Sequence, residues 1–154
     1  EAQMRLHLEG VVTGIAVALE CGEYNNIHPV HKTEVARRLA IQALYHVFGI
    51  GSEEEVYGPI FRTLAVNGSE LLISFYHAEH GFTVKGEEIK NFEVAGPDGK
   101  FVPAKAEVRG SSVVLSSEDV SVPVAARYMW IDYAEVTLFG ENGLPVAPFI
   151  ALPQ

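Results

Sequence analysis

One stretch of the chain concentrates side chains that could move a proton. Residues 22–44 read GEYNNIHPVHKTEVARRLAIQAL, and His28 stands there between Ile27 and Pro29. An imidazole changes charge near neutral pH, so a histidine at the edge of a site can act as general base for a hydroxyl nucleophile. The residue before a proline is pushed out of the helical region into an extended one. His28 is therefore held in an extended turn at the entrance of the helix that follows. A general base also needs a neighbour that sets its tautomer and steadies its cation. Glu23, Asn25 and Asn26 are the nearby candidates. An asparagine can orient an imidazole but cannot neutralise an imidazolium. Glu23 could do both if the loop folds back. A plainer reading stands beside each: a loop histidine commonly serves structure alone, and asparagine favours tight turns for its own backbone reasons.

The elements on either side decide where such a histidine points. GIAVALEC, residues 14–21, is nearly all apolar without polar alternation. A strand buried on both faces of a parallel sheet reads this way. A helix follows the polar loop, with Pro29 near its start, Thr33 as a possible cap, Glu34 in the first turn and Gly49 as a left-handed stop. Val35, Ala36, Leu39, Ala40, Ala43, Leu44 and Val47 fall on one broad face, and Glu34, Arg37, Arg38 and Gln42 on the other. This predicts a helix laid on a sheet by its apolar face. The loop then leaves the C-terminal end of the strand, the edge where open α/β sheets place their ligands.

From residue 55 onward the texture changes. Turn signals recur in VNGSE (66–70), VKGEE (84–88), GPDGK (96–100), VRGSS (108–112) and GENGLP (140–145). Strand-like segments lie between them: LLISFYH (71–77), KAEVRG (105–110), SVVLSS (112–117), VAARYMWID (124–132) and EVTLFG (135–140). Short strands at this spacing predict an antiparallel β-sandwich. The expected organisation is α/β plus β, with domains at 1–50 and 55–154 and the boundary around GIGSEEEVYGP, residues 49–59.

The histidine block resembles the last conserved block of the sialate O-acetylesterase and acetylxylan-esterase group within the SGNH hydrolases. That pattern is similar to G-E-x-N-D-I-H-P, two or three residues, then K-x-x-V-x-x-R-L-A. Gly22, Glu23, Asn25, Ile27, His28, Pro29, Lys32, Val35, Arg38, Leu39 and Ala40 match it. The similarity extends upstream through TGIAVALECGE and downstream through NFEVAGPDGKFVPAKAEVRGSSVVLSS, PVAARYMW and GLPVAPF. The resemblance implies that residues 1–50 are the closing strand–loop–helix of an SGNH (flavodoxin-like) hydrolase domain, followed by the β-sandwich. It implies a serine carbohydrate O-acetylesterase in which His28 takes the proton from a serine attacking an acetyl carbonyl. It implies no cofactor and no metal. The chain departs from the pattern at Asn26, where the family has an aspartate; Asn25 stands where the wider superfamily has one. Asn25 and Asn26 are therefore carried with His28 as site residues. Neither is a carboxylate.

The other half of such a site is not recognisable here. The family's serine lies in a G-D-S or G-Q-S type turn after the first strand, and its oxyanion donors lie in later blocks. NGSE and RGSS are hairpin turns instead. The chain begins EAQMRLHLEG, without an initiator Met, and reads as mid-chain helix. A fragment is expected, with the N-terminal remainder of the hydrolase, carrying nucleophile and oxyanion donors, as partner and an acetylated carbohydrate as substrate. Acetylated glycans lie outside cells, so the resemblance implies secretion or a periplasmic location. A non-catalytic carbohydrate-binding or structural β-module is the alternative.

Composition excludes some classes. A net charge of −9 over 154 residues argues against nucleic-acid binding, which needs a basic face. No apolar run is long enough to span a bilayer. Cys21 is alone in the chain and reads as a small buried hydrophobe. HAEH (77–80) has metal-ligand spacing, but residues three apart on a strand face opposite ways, and a solvated loop is expected. In RYMWIDY (127–133), strand alternation puts Tyr128 and Trp130 on one face and Tyr133 on the other. The pattern reads as core or as a sugar-stacking platform. EEE (53–55) reads as a solvated linker.

Overall fold

The protein is described by a computed structural model over residues 2–10 and 14–153. Helix α1 spans Ala2–Leu8, α2 Lys32–Phe48 and α3 Glu53–Val56. The strands are β1 Ile60–Asn67, β2 Glu70–Tyr76, β3 Phe82–Val84, β4 Phe92–Ala95, β5 Phe101–Pro103, β6 Lys105–Arg109, β7 Ser112–Ser116, β8 Ala125–Tyr128, β9 Leu138–Gly140 and β10 Phe149–Ala151. Two four-stranded antiparallel sheets, ordered β1-β2-β7-β6 and β10-β8-β4-β5, are accompanied by the pair β3-β9. Leu71 and Ile73 of β2 lie opposite Leu115 and Val113 of β7. All four share a buried core with Val94, Ala126 and Tyr128 of the other sheet. Side chains of period two from both sheets thus fill one interior, the arrangement of a β-sandwich. Each such aliphatic contributes roughly 1.5–3 kcal/mol relative to exposure. Phe61 stacks on Phe149 at 4.7 Å where an edge of each sheet meets. Gly68, Gly99 and Gly110 take positive φ in the β1–β2, β4–β5 and β6–β7 turns, as the turn signals predicted.

The N-terminal part differs from its expected form. Residues 14–18 form no strand, and Leu19–Cys21 make a single 3₁₀ turn. Among the described residues no strand lies beside this segment to complete a ladder. Side chains of α2 take its carbonyls instead. Gln42 Nε2 donates to the Ile15 carbonyl at 3.1 Å, and Arg38 Nη1 donates to that of Val17. The helix starts at Lys32 with His31 as its N-cap rather than Thr33, and no side chain caps it. Its end is as expected: Gly49 is left-handed (φ 67°), and Ile50 N–H returns to the Leu44 carbonyl.

The packed face of α2 is also not the one that hydropathy selects. Arg38 and Gln42, assigned to the polar side, are buried, with Arg38 only 4% exposed. Leu39, Leu44 and Val47, assigned to the core, are exposed, Leu39 at 56%. Arg38 and Gln42 can be buried on the packed face because they meet main chain with open carbonyls. Arg38 Nη2 pairs with Glu20, and its Nε lies 2.9 Å from Glu34. The Glu34 carboxyl is lowered to about 2, chiefly by its hydrogen bonds from Arg37.

A second, smaller core joins this part to the sheets. Val56, Tyr57, Ile60 and Ala147 are buried against Met4, Ile15, Val17, Ile41 and Tyr45. Gln42 Nε2 donates to the Val56 carbonyl at 2.7 Å, and His46 Nε2 lies 2.7 Å from the Tyr57 hydroxyl. A Cβ on Gly58 would come within 2.5 Å of the Pro145 carbonyl oxygen, so this joint closes only around glycine. EEE (53–55), expected as a linker, is the helical turn α3, because Ser52 and Glu55 form a reciprocal capping box.

Removing the Arg38 guanidinium leaves Glu20 without its cation and the Val17 carbonyl without its donor. Arg38→Met is expected to destabilise the chain by about 1–3 kcal/mol, below the fully buried range because both carboxylates keep some solvent. Urea unfolding checks this, and an unchanged midpoint would show that the clamp holds nothing.

Candidate functional site

His28 lies in a loop tied shut by its own residues. The Glu23 carboxylate accepts from Val30 N–H at 2.8 Å and from Asn26 Nδ2 at 3.0 Å. Asn26 Oδ1 accepts from His28 N–H at 2.9 Å, an Asx-type turn. Glu23 and Asn26 also form an isolated bridge. The loop therefore rests on one carboxylate gripping both of its limbs. Both hydrogen bonds favour the ionised form, the Val30 N–H most, and hold the Glu23 carboxyl below its usual 4.5.

The structure places the three predicted site residues as follows. His28 and Asn25 are exposed, and Asn26 is half-buried. Asn26 reaches the main chain of His28, not its ring, and both Glu23 oxygens are engaged in closing the loop. Among the described residues, no hydrogen bond reaches the His28 ring. The arrangement can present an imidazole to solvent at the mouth of α2 with its backbone held fixed. The orienting contact to the ring that a proton acceptor uses is not made within this set of residues. Large apolar side chains flank it in the open: Ile27 is 91% exposed, and Tyr24 and Val30 are exposed as well.

The underside of the loop is fixed by Arg38, which holds Glu20 and the Val17 carbonyl just before the loop begins. Cys21 is buried beside it, and burial pushes its thiol pKa up, so it behaves as packing. Sequence reasoning carried Arg38 as a matched motif residue on the polar face of the helix, with no role in the site. Its place four residues after Glu34 was the available signal, while Glu20 is brought in only by the chain's return.

A second element reaches the loop from the sheets. The strand expected over 124–132 stops at Tyr128, because Met129 is left-handed (φ 52°) and breaks the alternation. Tyr128 is fully buried, while Trp130 and Tyr133 are exposed on the turn that follows. The Tyr133 ring meets that of Tyr24 edge-on at 5.6 Å. The expected shared face for Tyr128 and Trp130 is thus replaced by one core tyrosine and two surface aromatics.

The HAEH histidines take another role. His77 ends β2 in a left-handed conformation (φ 58°) and stacks on Tyr57 at 4.9 Å. His80 lies 3.6 Å from Glu54. Among the described residues no three His, Cys, Asp or Glu side chains converge as a metal site. No helix among them is long and apolar enough to cross a membrane.

Because Glu23 is more acidic folded than unfolded, the order it lends the loop is fully present above pH 4.5 and lost as pH falls through its lowered value. The backbone amide shifts of His28 and Val30, followed by NMR down the acid range, are expected to move together. In Glu23→Gln that shared titration should vanish; its persistence would assign the closure to another group.

No protein-family model and no curated protein matches the chain. Among solved structures it is similar to the crystal structure of a carbohydrate acetylesterase from Xanthomonas citri, at 32% identity and a TM-score of 0.80. The likeness covers 88% of this chain and 32% of that one, so the chain spans about a third of the length of this solved relative. The resemblance read from the histidine block thus has a structural counterpart in a carbohydrate esterase, at a level coarser than the sialate or acetylxylan group.

Proposed function

We propose that the chain is the C-terminal part of a serine carbohydrate O-acetylesterase. In this reading residues 1–50 close an SGNH-type hydrolase domain and residues 55–154 form an appended β-sandwich. The observation that carries it is the clamped Ile27-His28-Pro29 turn, exposed at the mouth of α2, in a chain that matches part of a carbohydrate acetylesterase. The exposed apolar stripe of α2, with Leu39 and Val47, supports a further sheet packing there. The strandless segment 14–18 supports the same, since an apolar run of that kind needs neighbours to pair with.

The chemistry follows from the residue types. A serine of the remaining hydrolase domain attacks the acetyl carbonyl while His28 accepts its proton. The tetrahedral intermediate collapses, and His28 returns the proton to the departing sugar oxygen. Water, activated by the same imidazole, then cleaves the acetyl-enzyme to acetate and free serine. Asn26 acts as a positioning residue through the His28 main chain. With both Glu23 oxygens committed to the loop, the imidazole works as part of a Ser-His pair or against a carbonyl of the missing part. In this reading the substrates are acetylated glycans of the sialate or xylan type, and a location outside the cytoplasm, in the medium or the periplasm, is part of the proposal.

In the enzyme that includes the nucleophile-bearing part, His28→Ala is expected to lower kcat on p-nitrophenyl acetate by about 10³-fold or more. The 154 residues by themselves should release no acetate. Full turnover without the imidazole, or hydrolysis by the isolated chain, would end this reading.

A further inference from the structure

The turn after β8 leaves an indole in the open beside a groove. Trp130 is 42% exposed, and with Ile131 it lines a depression of about 480 Å³ together with Asn91, Glu93, Arg127 and Pro103. That volume lies in the range of roughly 300–1,000 Å³ usual for small-molecule sites.

The polar part of this groove is fixed in advance. Arg127 donates to Glu93 through two parallel bonds of 2.7 and 2.9 Å, and its guanidinium sits 4.3 Å from the centroid of the Phe101 ring. A guanidinium has five N–H groups and a carboxylate about four lone-pair positions. The pair therefore keeps donors and acceptors to spare, side by side and in one plane. The turn itself is pinned to β4's entrance. Met129 N–H donates to the Asn91 carbonyl at 3.0 Å, and Asn91 Nδ2 donates to the Glu135 carbonyl at 2.9 Å.

A rigid amphipathic ring next to a fixed donor–acceptor pair matches a sugar: the C–H face lies on the indole, and adjacent hydroxyls reach the guanidinium and carboxylate. The Arg127–Glu93 pair cancels its own charge, Lys90 in the same lining is paired with Glu135 at 3.0 Å, Glu88 also lines the groove, and the chain carries −9 overall, so an anionic glycan is disfavoured. We propose that this groove is a saccharide-binding subsite for a neutral glycan chain, with Trp130 as its stacking platform. The choice of a saccharide rests on the carbohydrate reading above. The same turn carries Tyr133, whose ring touches Tyr24 of the histidine loop, so the turn that bears Trp130 also contacts that loop.

Trp130 is the chain's single tryptophan, so its emission reports on this groove alone. Titration of the chain with xylohexaose, cellohexaose and mannohexaose is expected to give a saturable emission change with at least one of them. By calorimetry, Trp130→Ala should weaken that binding about tenfold or more, as loss of an aromatic anchor does. Trp130→Phe should retain it within a few fold, and Glu93→Gln should weaken it several-fold. No emission change with any of the three at millimolar concentration would overturn the proposal. So would undiminished binding by Trp130→Ala, or equal loss in the Phe and Ala variants. These readouts involve no hydrolysis. Binding in an enzyme indifferent to loss of His28 would sink the esterase reading and leave the groove standing; the reverse result would do the opposite.

Discussion

One buried cation organises the approach to the histidine loop. Arg38 sits within α2, yet its guanidinium is spent on groups from outside the helix: the Glu20 carboxylate and the Val17 carbonyl, with Glu34 closing the set from one turn away. Burying a charge is costly unless pairing and hydrogen bonds compensate, and here both do. The consequence is geometric. The segment entering the histidine loop and the helix leaving it are held at one point, so the loop between them spans a fixed gap. Glu23 then divides that span, drawing Val30 and Asn26 together. The His28 backbone is defined by two clamps in series, one centred on the Arg38 guanidinium below the loop and one on the Glu23 carboxylate within it.

The same logic explains why the N-terminal part is not free of the sheets. Gln42 satisfies carbonyls on both sides of the joint, at Ile15 and at Val56. Tyr57 is packed between His46 and His77. Arg38 and Gln42 do part of the joining through main-chain carbonyls, and Ile41 and Tyr45 of the same helix pack into the small core. Leu39, Leu44 and Val47 of the same helix are left outward, and Ile27 and Val30 of the loop are exposed as well. The 129–135 turn brings Tyr133 against Tyr24, so the sheet region contributes directly to the surroundings of the loop.

The β-region was legible because antiparallel pairing is local and punctuated. VNGSE, GPDGK and VRGSS each mark a turn with glycine at positive φ, and the hairpins flanking the last of these fell where alternation put them. What alternation could not register was Met129, an apolar residue in a left-handed conformation. It ends β8 and sends Trp130 and Tyr133 to the surface instead of onto a strand's two faces. Short strands such as β3, β5 and β10 carry too few residues for a period-two pattern to stand out. The loop was legible in type and not in wiring: Glu23, Asn26 and His28 were all visible as candidates, but only the closed loop shows that Glu23 and Asn26 are occupied with the main chain.

By itself the sequence determined the local events: the left-handed stop at Gly49, the glycine hairpins, and an antiparallel, apolar-cored second half. These depend on φ restrictions and on the contrast between neighbouring residues, which are written in the order of the chain. Tertiary structure alone decided which face of α2 is buried, whether residues 14–18 make a strand, and which aromatic of 127–133 lies in the core. Each of those outcomes depends on a partner far away in sequence: Glu20 and Val56 for the helix face, an adjoining strand for the apolar run, Asn91 for the turn. A hydropathy pattern records that a side chain avoids water. It holds no record of what stands opposite.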